Sequence, residues 1–558
     1  MDYLKAIKEK EDYFSSLHGR MDADRDLVNL SAYTMKDSDN RKISDIINVT
    51  LNRPAVFAAN VESALGNAVE QPVVSTDKSG FDTAYVEEVV KAGFRSANNR
   101  LIRSGRFSLN AFIDQQMCRR GRSAARCLFY MNEDELVTDI TPWDSRFVTY
   151  DIDANGLKWA AYKTKRTKGD IESQSWAIDK GFELTSKEAE IVDVWDREHN
   201  EIHVGGNLEY EQPNPWGFTP VCLQIVPLGS MLADEGNIQY EGESIFFLIR
   251  GLIPELNRIV SILQTLNLLS VKPPMGWASK DGQQPPPEYQ VAVSAGAMTQ
   301  HETGGGFTKV DYGDARRAAT LILGQIDKAI QQGSLSSIDL GTLEFELSAV
   351  ALIEIGEGRD QVFLPRLGSR GLLKQQLAEM MVAQIINCGQ SNVEIGLPGH
   401  KQSYKVSKLD GEYNIEFKYF MKSPELDAAR FALANSTGTL IPEYAKRRDI
   451  LKREDPEHDE RMLRWEEAER ISPRIKIYRT IKSLLEEAER GNEDAEFEAE
   501  LLAAEMDMSL ESLMAGDIDQ IPKSEEQPKP NQMINLFGRG GSSARKAGEL
   551  QRTPRAEE

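Results

Sequence analysis

Apolar residues recur every three to four positions from Glu11 to Tyr33, from Ile43 to Leu65 and from Phe81 to Met117. This spacing predicts a helical first 130 residues, with Pro54 interrupting the second stretch and Pro72 closing it. At Arg126 the period changes to two. Cys127-Leu128-Phe129-Tyr130, Phe147-Val148-Thr149-Tyr150, Trp159-Ala160-Ala161-Tyr162 and Ile191-Val192-Asp193-Val194-Trp195 predict short strands, separated by turns such as Asp153-Ala154-Asn155-Gly156. From Glu243 the helical period returns, with Ile245, Ile249, Leu252, Leu256, Ile259, Leu263 and Leu266 on one stripe and a kink expected at Pro254.

Residues 272–312 carry Pro273, Pro274, Pro285, Pro286, Pro287 and the run Gly304-Gly305-Gly306, the composition of an extended excursion, with strands expected at Tyr289–Val293 and Thr308–Val310. A second helix is expected from a cap at Asp311 or Asp314 to a stop at Gly333. Ser334 to Glu346 reads as a polar loop and Leu347 to Ile386 as a long helix with weak points at Gly356, Gly358 and Pro365. A strand pair (Val393–Ile395 with Tyr413–Tyr419) and charged helices from Pro424 to Leu513 follow. Beyond Pro522 the Pro/Gly-rich sequence predicts a disordered tail, and no internal repeat is evident.

At 558 residues the chain is long enough for roughly three to four domains or one large elaborated one. With 40% hydrophobic and 28% charged residues it belongs to the globular class. The N-terminus enters alternating charge at once, so no secretory signal and a cytoplasmic site of synthesis are expected. The most apolar stretch, Ile245 to Val271, is broken by Arg250, Glu255 and Arg258, which argues against a membrane span. Cys118, Cys127, Cys222 and Cys388 form no Cys-x-x-Cys pair and are expected to be reduced core residues. A net charge of −22 argues against a protein that grips nucleic acid by neutralising phosphates. Residues 484–519 alone hold thirteen acids against the single base Arg490. They lack calcium-loop spacing and read as a solvated helical surface. The bases of the tail (Lys523, Lys529, Arg539, Arg545, Lys546, Arg552, Arg555) are interrupted by acids and carry no interleaved aromatics.

No phosphate-cradling Gly-x-x-x-x-Gly-Lys-Ser/Thr, no Gly-x-Gly-x-x-Gly after a strand and no Gly-x-Ser-x-Gly elbow is present, so no cofactor and no enzyme are expected. The sharpest metal candidate is His199-Asn200-Glu201-Ile202-His203, where a helix would bring both histidines to one face beside Glu201. The alternation from Ile191 to Val204 instead predicts a hairpin turning near Asn200, which removes that geometry.

The order of parts is a helical N-terminal third, a small β region, a long helix, a Pro/Gly-rich excursion, a returning helix, a polar loop, a second long helix and charged helices. It resembles the portal proteins, or head-to-tail connectors, of tailed bacteriophages. The local match lies in Gly121-Arg122-Ser123-Ala124 running into Cys127-Leu128-Phe129-Tyr130, in Pro142-Trp143-Asp144, in the strand Arg146 to Tyr150, in Gly156-Leu157-Lys158-Trp159 and in Val194-Trp195-Asp196. Gly242-Glu243-Ser244-Ile245-Phe246 leading to Glu255-Leu256-Asn257-Arg258 is similar to the start of a portal stem, and Ser348-Ala349-Val350-Ala351 to Phe363-Leu364-Pro365-Arg366-Leu367 to the segment after the tunnel loop.

The resemblance implies an α+β, mainly α, portal-type subunit with long stem helices, small β regions in wing and clip, and a helical crown. The wing would be 1–235, the first stem helix 236–271, the clip 272–312, the second stem helix 313–333, the tunnel loop 334–346, a long helix returning to the wing 347–423, the crown 424–519 and the tail 520–558. Twelve such subunits would ring the channel for packaging and ejecting double-stranded DNA, at the portal vertex of a virion assembled in the host cytoplasm. The implied partners are further copies of the chain, the large terminase subunit, head-completion or adaptor and tail proteins, major capsid and scaffolding proteins, and DNA held without sequence preference; no membrane is implied. Ile249, Leu252, Leu256, Ile259 and Leu263 would pack the stem, on helices short of partners within their own chain. Lys272, Pro273, Pro274, Gln283, Pro285, Pro286 and Pro287 would dock motor or adaptor. Lys328 with Ser334, Ser336, Ser337, Ile338, Asp339, Leu340, Gly341 and Thr342 would face DNA, a belt of positive charge beside a loop of small side chains. Two alternatives stay open: another phage structural part, such as a scaffold or tail component, and a metal-dependent hydrolase centred on His199, Glu201 and His203. An ordinary outward-facing Lys328 also stays open.

Overall fold

The computed structural model describes residues 2–78, 81–132, 135–232, 236–271, 275–278, 306–309, 315–334, 349–397, 399–420, 431, 434–438, 440–451, 456–489 and 493–505. Two compact units divide the chain at Pro456.

The first unit opens with helices α1 (Tyr3–Tyr13) and α2 (Ser15–Val28). The Asp2 side chain accepts from Lys5 N, which places the first helix start before the predicted Glu11. Helix α3 (Arg53–Gly66) begins where an interruption was expected, because Pro54 sits in the first turn, where no backbone N–H is required. The predicted helix over Phe81 to Met117 is two, α4 (Thr83–Arg103) and α5 (Leu109–Arg119). They part at Gly105, whose φ of +74° lets Gly105 N reach Ile102 O and Arg106 N reach Leu101 O.

Strand β1 (Val69–Ser75) precedes α4, and the β region follows α5 as β2 (Arg122–Asn132), β3 (Glu135–Trp143), β4 (Val148–Asp153), β5 (Gly156–Thr167), β6 (Glu188–Asp196), β7 (His199–Val204), β8 (Asn207–Pro213) and β9 (Val221–Ile225). These form a three-stranded sheet β3-β2-β9 and an antiparallel sheet in sequence order from β4 to β8. Helix α1 covers the second sheet, with Tyr3 and Ile7 against Trp159, Ala161, Val192 and Val194.

Helix α8 (Leu252–Val271), α9 (Ala315–Gly333) and α10 (Ala349–Ile386) follow, after the one-turn helices α6 (Lys168–Glu172) and α7 (Ser175–Lys180) of the β region. The predicted helix start at Glu243 is nine residues early, since residues 245–251 form turns. Pro254 therefore lies in the first turn of α8, and it opens the helix instead of kinking it. Helix α10 runs unbroken through Gly356, Gly358 and Pro365. Its second half lies in the largest core, where Leu373, Leu377 and Met381 meet Val89, Val90, Ile113 and Phe129. Arg370 and Lys374 enter the same core with partners: Arg370 donates to Asp114 at 2.9 Å, and Lys374 to Glu70 at 2.5 Å.

After the short strands β10 (Met275–Ala278) and β11 (Gly306–Lys309), β12 (Asn392–Leu397) and β13 (His400–Lys405) make a hairpin, while β14 (Asn414–Phe420) pairs with β1. The predicted pairing of Val393–Ile395 with Tyr413–Tyr419 is thus wrong: each segment found another antiparallel partner, one seven to eleven residues away and one more than 300. In the second unit, helices Pro456–Ile471, Pro473–Glu489 and Glu493–Glu505 surround a small core of Ile481, Ala499 and Ala503. The expected tail at 520–558 lies outside the described residues.

The segment expected to be helical from Ile43 forms no helix before Arg53: it bends at 44–46, and residues 47–51 are irregular backbone. It lies antiparallel along α8: Ile47 N donates to Thr265 Oγ1 at 3.1 Å, Val49 N to Ser261 Oγ at 2.9 Å and Leu51 N to Asn257 Oδ1 at 3.1 Å. Two residues of chain span at most about 6.7 Å and four helical residues about 6.0 Å, so the register holds over three bonds. The Ser261 and Thr265 hydroxyls donate their own protons to Asn257 O and Ser261 O, which leaves lone pairs for the strap. Ser261→Ala removes one buried acceptor. It is expected to cost about 1–2 kcal/mol and to speed hydrogen exchange at Val49, read by exchange mass spectrometry; unchanged exchange there would dismiss the strap as an ordering element.

Candidate functional site

The base of the α8–α9 pair is where the segments that carry the portal resemblance meet. Gly121 and Gly242 both have positive φ, +72° and +68°. A side chain at Gly121 would run into the Gly242 carbonyl, and one at Gly242 would stand 2.5 Å from Ile225 Cγ2. Only glycine permits this approach. Around it Ile245 N donates to Cys118 O at 2.9 Å and Glu243 N to Leu228 O at 3.1 Å, tying the turn before α8 to α5 and to the end of β9.

Charge closes the junction. Arg20 Nη2 donates to Arg120 O and Gly242 O, both at 2.9 Å, and its guanidinium lies 3.4 Å from the Glu243 carboxylate. Arg250 Nε donates to Asp24 Oδ1 at 2.6 Å and Nη2 to Glu243 Oε2 at 2.5 Å. Arg122 reaches the Tyr150 hydroxyl at 2.8 Å and Glu241 at 3.2 Å. Asp24 and Glu243 are wholly buried. Burial pulls the Arg20 pKa down to about 10 against the pull of Glu243 and Asp24. Burial also opposes the charge of Arg250, but its bonds to Asp24 and Glu243 outweigh that and raise its pKa.

Of the predicted stem residues, Ile249, Leu256 and Ile259 are buried, whereas Leu252 and Leu263 are half-buried. The expectation that these helices lack partners in their own chain is corrected for the base, where Ile249 and Leu256 belong to a core with Phe57, Leu65, Ile330, Phe363 and Leu367. Farther along, apolar residues face outward: Leu268 is 48% exposed, and on α9 Leu321 is 67% and Ile322 47% exposed. Beside the base an open groove of 270 Å³ runs between α3 and the helix pair, lined by Val56, Phe57, Ile249, Ile253 and Ile330 and ending at Ser334.

Lys328 is exposed, about 160° round α9 from the buried Ile330. Ser334 is half-buried and donates to Ile330 O at 2.7 Å. Ser336, Ser337, Ile338, Asp339, Leu340, Gly341 and Thr342 lie outside the described residues. So do Lys272, Pro273, Pro274, Gln283, Pro285, Pro286, Pro287, the strand expected at Tyr289–Val293, and the caps Asp311 and Asp314. Within 272–312 the described parts are Met275–Ala278 and Gly306–Lys309, which pair antiparallel.

The His199–His203 stretch is strand β7, with the hairpin turn at Arg197-Glu198, two residues before the expected position. His203 Nε2 lies 2.9 Å from Glu201 Oε2. Among the described residues no three His, Cys, Asp or Glu side chains gather as a metal site. Cys118, Cys127 and Cys222 are buried free thiols and Cys388 is half-buried; burial raises the pKa of the first three. No described helix is long and apolar enough to cross a membrane.

Sequence reasoning missed Arg20 and Asp24 as partners of Glu243 and Arg250. Charged residues four apart on one side of an otherwise apolar helix face were the available signal, but the partners lie more than 200 residues away.

No protein family matches this chain, and no curated protein does. Among solved structures it is similar to a chain from the neck of an empty gene transfer agent particle computed with C6 symmetry, at 12% identity and a TM-score of 0.38, over 72% of this chain and 89% of that one. It is also similar to a chain from the virion of a native gene transfer agent particle, at 13% identity and a TM-score of 0.36, over 71% of this chain and 88% of that one. At these scores neither likeness assigns a fold or a role.

Proposed function

We infer that this chain is a structural component of a phage-like particle and, more finely, one subunit of its portal ring. In that role it conducts double-stranded DNA during packaging and ejection and carries out no chemistry of its own. The supporting observation is the junction at Gly121, Gly242 and Glu243. There two segments that separately resemble portal sequences lock together and hold an antiparallel helix pair whose outer parts expose Leu268, Leu321 and Ile322. Exposed apolar faces on such a pair suit side-by-side packing of identical subunits in a closed ring. The large terminase subunit, adaptor and tail proteins, and capsid and scaffolding proteins would then be its partners at the portal vertex. The −22 charge suits a conduit that does not seize the duplex.

Negative-stain images of the purified chain test this. Rings with a central hole are the expected result, and compact monomers at micromolar concentration would overturn it. Deleting Ser336 to Leu340 is expected to leave folding and rings intact but to impair packaging or genome retention in infectious particles. A deletion mutant that packages and holds a full genome like its parent would move the constriction elsewhere, with the clip next in line.

A further inference from the structure

Residues 89–131 hold nine arginines and lysines against one acid, Asp114, in a chain of net charge −22. The fold disposes of much of this surplus. Arg119 pairs with Glu62, Arg120 with Asp144, Arg122 with Glu241, and Arg126 with both Asp139 and Asp193, while Asp114 is taken by Arg370. Lys91 has an interaction of its own, which leaves Arg95, Arg100, Arg103 and Arg106. All four are exposed, and none makes an ion pair among the described residues.

These four lie on the outer side of α4 and the turn that follows it. Arg95 and Arg103 are eight residues apart, about 12 Å along the helix axis and about 80° round it. The Arg95 charge opposes the rise in the pKa of Tyr404 on β13, and the Arg106 charge that of Tyr162 on β5. Phe107 and Ile102 stand among the arginines, 70% and 53% exposed. Two of the four have a simpler use. Arg100 and Arg103 occupy the last turn of α4, where cations complement the helix dipole, and Arg100 also lies close to Asp139. That use covers neither Arg95 nor Arg106.

We propose that this arginine shoulder is a site for the phosphate backbone of double-stranded DNA, separate from the channel assigned to the stem helices and tunnel loop. Exposed guanidinium groups on a helix and the turn after it, none in an ion pair among the described residues, can bond phosphates in bidentate fashion. Phe107 supplies an apolar face for a sugar edge. Contacts of this kind carry no sequence information and are lost as salt rises. The choice of DNA over an acidic protein rests on the portal reading, which brings the duplex to this chain.

The test is fluorescence anisotropy of the full-length chain with a labelled 30-base-pair duplex of mixed sequence, from 50 to 200 mM NaCl. The parent should bind with an affinity that falls steeply with salt. The variant carrying Arg95→Gln, Arg103→Gln and Arg106→Gln should bind roughly tenfold or more weakly at the lowest salt, with its log–log salt slope shallower by about 2.7. The matching lysine variant should keep most of that slope, which separates lost charge from lost folding. Equal binding by parent and glutamine variant, no salt-dependent binding by the parent, or tighter binding of poly-glutamate than of duplex at equal charge would each overturn the proposal. Ring formation is read separately by negative stain. Rings without arginine-dependent binding remove this site alone, and arginine-dependent binding by a chain that makes no rings removes the portal reading alone.

Discussion

Leu256→Asp is expected to unfold the first unit, whereas Leu263→Asp is expected to leave the subunit folded and abolish ring formation. The two residues lie seven apart on one stripe of α8, but their surroundings differ. Leu256 is 1% exposed, in a core built from α3, α9 and α10 of its own chain. A carboxylate there loses the leucine's packing and is buried with no counter-ion, a combined cost of at least about 4 kcal/mol. Against a total stability of roughly 5–15 kcal/mol, that removes most of the margin. Leu263 is half-buried and lies beyond this core, so a carboxylate there stays hydrated in the free subunit and is penalised when a neighbouring subunit covers it. Thermal melts by circular dichroism report the first effect, and size-exclusion chromatography with negative stain the second. Normal rings from Leu263→Asp would show that α8 does not face a neighbour. A cooperative melt at the parent temperature for Leu256→Asp would contradict the packing described for the base.

The second large effect is expected at Glu243. Glu243→Ala should destabilise the first unit by about 3–5 kcal/mol, the usual result of stripping one partner from a buried ion pair. Its carboxylate is wholly buried between Arg20, whose side chain is 1% exposed, and Arg250. Arg250 keeps Asp24, but Arg20 keeps only backbone carbonyls, those of Arg120, Gly242 and Glu241, and its Nε is already unpartnered. Glu243→Gln should cost less, since the amide can still accept from either guanidinium. Denaturant titrations of the three proteins give the ordering. An alanine variant within 1 kcal/mol of the parent, a margin well below the usual cost, would mean that water reaches Arg20 and that the junction is not closed.

The local elements were readable where local chemistry decides them. The strands from Cys127 to Trp195 showed in their alternation, because a period of two depends on neighbouring residues alone; the helix end at Gly333 was placed correctly, although Gly333 is the last helical residue and not a left-handed cap. The hairpin at His199 was readable for the same reason, and it removed the helical metal geometry. The stretch from Ile43 to Asn52 was misread because its apolar spacing suits a helix, while the hydrogen bonds that hold it out of a helix come from Asn257, Ser261 and Thr265 on a helix more than 200 residues on. The strand Asn414–Phe420 was recognised but given the wrong partner, since register between β1 and β14 is set by burial against α10 and not by anything near either strand.

The candidate site divides along the same line. By itself the sequence determined the order of parts, the apolar stripe of α8, the acidic balance and the absence of nucleotide and nucleophile motifs, all of which are properties of residue types and short spacings. Only the tertiary structure decided which half of the stripe is covered by its own chain, that Gly121 and Gly242 touch, that Glu243 joins Arg20 to Arg250, and that four of the arginines between Val89 and Met131 form no ion pair among the described residues. Each of these depends on which distant side chains share a volume, and burial and Coulomb energy act through space without regard to separation along the chain.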